Sequence, residues 1–157
     1  MSDFSDFLRK AEDDINKDKK SAQLASEQKL AEAQLLSQLL AIEWVELIRI
    51  MKSITKDETF DGKQFFWISD RSVMLGDVTL ISVAMRDRGK EIYQARYQSV
   101  ALGPRPRNMA LIPTLELDVV RWTVSELKGT AKLSTSELAI ALLKQLVDYY
   151  RAIQSPQ

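Results

Sequence analysis

The stretch LELDVVRWTVSELKGTAKLSTSELAIALLKQLVDYY places one acid at Asp118, a second acid and a lysine as Glu126-x-Lys128, and Gln145 and Tyr149 on the pattern behind them. Carboxylate oxygens are hard ligands that suit magnesium, and a bound cation acidifies its water, so hydrolysis built this way needs no imidazole. That is relevant because the chain has no histidine and no cysteine. Ser-His-Asp and Cys-His catalysis, thiolate chemistry, disulfides and nearly every zinc arrangement are thereby excluded. An enzyme on this chain would have to run on carboxylates, Lys, Arg, Tyr or Ser.

The order acid, acid-x-Lys, helix resembles the core of the PD-(D/E)xK nucleases. The resemblance implies a magnesium-dependent cleavage of nucleic acid in which Asp118 and Glu126 hold the cation and Lys128 activates or positions the attacking water. Gln145 and Tyr149 would lie on the helix behind. The family's proline-aspartate is absent, since Thr114 follows Pro113, and the acid-x-Lys spacing recurs at Asp18, Glu27 and Asp61.

Other spacings carry less. Ser-x-x-Lys occurs at Ser53, Ser26 and Ser125, so the pattern does not single out a nucleophile. DETFDG at Asp57 opens like a calcium loop but has Ile68 where the bidentate glutamate belongs. Glu43 and Glu46 sit in the most apolar helical stretch without the histidines of a Glu-x-x-His bundle site, and read as an exposed strip. No cofactor and no metal are expected.

Arg105, Arg107 and Asn108, in GPRPRN, are the candidate binding residues. Pro104 and Pro106 cannot donate to a ladder, which makes the hexapeptide a stiff connector at a sheet end or edge. It lies in a basic middle segment, with eight Lys/Arg against four Asp/Glu over residues 62–110, whereas residues 1–61 carry nine against thirteen. The whole chain is neutral, 22 against 22, so the two segments are expected to offset one another within or between chains. Arginines interleaved with Phe65, Phe66, Trp67, Tyr93 and Tyr97 give an alternative reading as an RNA or single-strand module. The order helix, strands, helix is similar to a double-stranded-RNA-binding domain, but the basic cluster of that family's last helix is replaced here by KLSTSE.

The elements that would position these residues follow from periodicity. The first glycine is Gly62 and the first proline Pro104, so the opening sixty-one residues form a helical stretch of one piece or two. Residues 1–29 are expected to be a solvated extension whose stripe of Phe4, Phe7, Leu8, Ala11 and Ile15 finds another chain. Residues 30–157 form one domain. Its central helix, residues 30–52, is apolar over most of its circumference, Ile42 and Val45 included, and should be buried on several sides. Period-two segments with tight turns then predict an antiparallel meander of four to five strands, the phase break after Val119 being a bulge in one long strand. Ser134 and Glu137 form a capping box that opens a C-terminal amphipathic helix, Leu138 to Ile153, packed on one sheet face. The fold class is α+β. The opening has no apolar signal segment, and no apolar run approaches the roughly 20 residues of a bilayer span, so a cytoplasmic, membrane-free location is expected. With no catalytic constellation complete, the expected role is that of a small interaction protein. It would act through homo-oligomerisation and a sheet-face surface for a protein or small-molecule ligand, with nucleic acid not required.

Overall fold

In a computed structural model, which describes residues 2–99, 105–125, 127 and 132–154, the glycine- and proline-free opening is one helix, α1 (Ser2–Thr55). It stops where Asp57 takes a left-handed backbone, φ 61°, and the Glu58 N–H returns to the Thr55 carbonyl at 3.1 Å. This is the helix-ending geometry usually given to glycine. The chain divides into two compact units, Met1–Gln38 and Leu39–Gln157. The first consists of the earlier part of α1, and its Phe4, Phe7, Leu8 and Ile15 are all exposed, Phe4 at 68%. The second holds everything else.

Seven strands follow, not four or five: β1 (Thr59–Phe60), β2 (Lys63–Ser69), β3 (Ser72–Leu75), β4 (Val78–Asp87), β5 (Lys90–Ser99), β6 (Arg107–Glu116) and β7 (Val119–Val124). They form one antiparallel meander in chain order. Two-residue turns set the register. Asp61–Gly62, Arg88–Gly89 and Leu117–Asp118 each place both central residues at positive φ, the type I′ geometry whose twist matches a hairpin's.

The last of these turns corrects the bulge expected after Val119. β6 and β7 are a hairpin with Glu116 opposite Val119 and Leu111 opposite Val124, turned on Leu117 at φ 50° and Asp118 at φ 62°. Leucine is a poor residue for that backbone, which is why no turn is visible in the sequence. The other unforeseen feature is a proline inside a strand. Pro113 stands in β6 opposite Trp122, while the β5 ladder ends at the Leu111–Tyr93 pair. The pairing with β5 therefore stops short of a residue that has no N–H to give.

Strand alternation puts Val73, Leu80, Tyr97, Met109, Leu111 and Trp122 on one buried face. α2 (Thr135–Gln154) covers it with Leu138, Leu142, Leu146 and Tyr149, as the stripe predicts. Its capping box is formed: the Glu137 N–H donates to Ser134 Oγ at 3.2 Å, and the Ser134 N–H donates to Glu137 Oε1 at 3.1 Å. The later part of α1 contributes Leu40, Trp44, Leu47 and Met51, each 7% exposed or less. That helix is buried along one face and not on several sides. Ile42 and Val45 are 65% and 68% exposed, because nothing in the second unit covers their side.

Two predictions follow from these elements. Leu117 is 95% exposed, so Leu117→Asn loses no packing and relieves a left-handed leucine worth about 1 kcal/mol. The thermal midpoint should rise by about 2–4 °C, and a fall would refute the strain argument. The Glu137 carboxyl is held below the usual carboxylate range by hydrogen bonds from the backbone and then the hydroxyl of Ser134. A lowered folded pKa stabilises above the unfolded value and is lost as pH falls through the folded one. The melting difference between the parent and Glu137→Ala should therefore be present at neutral pH and shrink on acidification below the usual carboxylate range. A difference constant with pH would contradict it.

Candidate binding surfaces

The hexapeptide does not deliver its three polar residues to one place. Arg105 is exposed ahead of β6, Arg107 stands opposite Tyr97, and Asn108 stands opposite Arg96, so the last two face opposite sides of the sheet. Asn108 accepts from Arg96 Nε at its Oδ1, 3.1 Å away. Among the described residues neither Arg105 nor Arg107 is in an ion pair, whereas Arg49–Glu46, Lys52–Asp70, Arg86–Glu91 and Lys132–Glu116 are paired.

Asp118 occupies a turn and not a strand. Glu126 and Lys128 lie outside the described residues, Gln145 is half-buried, and Tyr149 is buried with its phenol pushed up by that burial. Among the described residues no three carboxylates, histidines or cysteines gather as metal ligands. The aromatics that would stack on bases divide: Phe66 is 65% exposed, but Tyr93 and Tyr97 are core residues at 5% and 0%. Tyr97 donates to the Leu142 carbonyl at 2.9 Å, and burial drives its phenol far above the ordinary range.

The structure adds three features. The sheet's other face leaves Phe66, Met85, Ile112 and Val119 between 48% and 65% exposed, an apolar surface on strands that bury their opposite side. A cavity of about 460 Å³ opens between the end of α1, β1–β2 and α2, walled by Ile54, Phe60, Phe65, Ile140, Leu143 and Val147 and rimmed by Glu58, Lys144 and Asp148. A second, of about 420 Å³, has Trp44, Val45 and Ile48 of α1 as its apolar wall and Arg49, Lys52, Asp70 and Arg71 as its polar one.

Around that second cavity Lys52 Nζ donates to Asp70 Oδ1 at 3.1 Å and lies 5.4 Å above the Trp67 ring, while Arg49 is held by Glu46. Arg71 is exposed and, among the described residues, in no ion pair. Trp44 is buried and its indole N–H has no acceptor among the described residues. Leaving such a group unmatched costs about 1–3 kcal/mol. Neither cavity is visible in the sequence, since each joins α1 to elements far from it in the chain, whereas a sheet-face surface is what the sequence leads one to expect.

Ser82 Oγ, Ser99 Oγ and the Tyr149 hydroxyl are also buried without a partner among the described residues, whereas the polar groups at the start of α2 are matched. Trp122 Nε1 donates to Thr135 Oγ1 at 3.1 Å, and Thr135 Oγ1 donates to Glu43 Oε2 at 2.7 Å. Glu43, expected on an exposed strip, is thus a partly buried acceptor. Lys63 Nζ donates to the Tyr150 hydroxyl, which donates to Asp61 Oδ2, each at 2.7 Å. The Tyr150 bond raises the Lys63 pKa. Gly76 completes this corner, for a Cβ there would stand 2.9 Å from the Tyr150 ring.

No protein-family model, curated protein or solved structure matches the chain. What defines it is its own architecture: an α+β protein with a long N-terminal helix, a seven-stranded antiparallel sheet and a C-terminal helix. Among the described residues no helix is long and apolar enough to cross a membrane.

Thr135→Val keeps the volume but strips the acceptor from Trp122 and the donor from Glu43. It should destabilise the fold by about 2–3 kcal/mol in chemical denaturation. A loss within 0.5 kcal/mol would mean that water replaces the threonine at no cost.

Proposed function

We propose that this protein acts by association and not by turnover. The first unit of α1 pairs with another copy, and the outer sheet face receives a partner or ligand. The observation that carries this reading is the exposure of Phe4, Phe7, Leu8 and Ile15, between 46% and 68%, on one helical spacing. Burying four such side chains contributes roughly 1.5–3 kcal/mol each. Association itself costs about 4–15 kcal/mol, a sum of the same size. The pairing should therefore be concentration-dependent and sensitive to single side chains. Apolar exposure on the outer sheet supports the second half of the proposal, although that surface does not name its partner.

Light scattering across a concentration series tests it. The intact chain should grow in mass with concentration, and Phe4→Ser/Phe7→Ser/Leu8→Ser should be monomeric throughout. An intact chain that stays monomeric at every concentration, or a triple variant that associates like the parent, would sink the proposal.

A further inference from the structure

We infer that the Trp44 cavity receives the N-terminal segment of α1 from a second copy of this chain. The inference rests on the association proposed above and says where that association is made.

The two cavities described above are nearly equal in size, about 460 and 420 Å³, so size does not choose between them. Charge does. The first is rimmed by two carboxylates and one ammonium, Glu58, Asp148 and Lys144. The second carries Arg49, Lys52 and Arg71 against Asp70 alone. With Arg49 held by Glu46 and Lys52 by Asp70, the uncompensated charge at its mouth is that of Arg71. Residues 3–8 of the chain read DFSDFL, two carboxylates and three large apolar side chains without a base. This composition complements an apolar wall with a cationic rim, and an acidic rim would repel it.

A further observation points to the same occupant. Val45 on the wall and Ile42 one helical turn before it are 68% and 65% exposed. The apolar ground therefore continues beyond the cavity along α1, as docking a helix requires and docking a small ligand does not. Since each copy carries both the segment and the cavity, the contact can be made reciprocally and close as a dimer.

The absence of cysteine makes the test direct. Full-length Phe7→Cys and Val45→Cys chains, both altered at exposed positions, are mixed under mild oxidation, and light scattering is run alongside. The expected product is a mixed disulfide between the two variants, forming several-fold faster than either homodimer. Adding Arg71→Glu to the Val45→Cys chain should slow it several-fold, and adding Asp6→Lys to the Phe7→Cys chain should restore it. A Phe7→Cys homodimer as the dominant product overturns the docking and leaves stripe-to-stripe association standing. A mixed disulfide indifferent to Arg71→Glu overturns the choice of this cavity. No disulfide with a monomeric parent overturns both readings, and no disulfide with an associated parent overturns this one alone.

Discussion

The fold of the second unit turns on how Trp122 is buried. Its backbone N–H and carbonyl both pair with Leu133, at 2.7 and 2.8 Å, which brings the chain back along β7 just before α2 begins. Its indole bonds to Thr135, the first residue of α2, and Thr135 bonds onward to Glu43 of α1. Its ring lies 6.3 Å from Trp44 and 5.6 Å from Tyr93, the latter edge-on, with Trp44 and Tyr93 themselves 4.8 Å apart. One side chain thus fixes the last strand, the start of the last helix and the crossing helix against each other. A buried tryptophan usually finds a partner for its N–H, and Trp122 finds one in Thr135. The threonine at the head of α2 is therefore as much a part of the core as the rings.

The sheet's order depends on turns more than on side-chain pattern. A one-residue slip in a meander would move every apolar residue to the opposite face, and the two-residue turns forbid it. Asp61–Gly62 and Arg88–Gly89 supply the usual chemistry, while Leu117–Asp118 supplies the same geometry at some strain. The fully buried run along Val73, Leu80 and Tyr97 shows that the register holds across β3, β4 and β5. The face so defined is the one that α2 and α1 close over.

Local rules made the helices readable in advance. The breaker-free opening, the Ser134–Glu137 box and the Leu138–Leu142–Leu146 stripe each involve residues within a few positions of one another. The features that escaped are those settled at a distance. β1 has two residues and exists only through its pairing with β2. β6 runs through Pro113, acceptable because the ladder on its β5 side has already ended. Ile42 and Val45 look like core by composition, but the sheet lies on only one side of α1. The cavities are less readable still. Arg71 becomes a neighbour of Trp44 only after β2 and β3 have folded back on their turn, and no spacing in the chain announces it.

The charge balance bears on association more than on fold. A chain with no net charge has no long-range repulsion between copies, so an exposed apolar stripe meets no electrostatic barrier to pairing. The excess of acid in residues 1–61 and of base in residues 62–110 gives two approaching copies an attraction once they are oriented. Within one chain that attraction goes unused at Arg71, Arg105 and Arg107, which are in no ion pair among the described residues. Exposed rim charges of this kind contribute little to stability but steer encounter and register. In the association proposed above, the acidic apolar segment of α1 and a domain with unpaired arginines would be complementary halves of one contact, carried on the same chain.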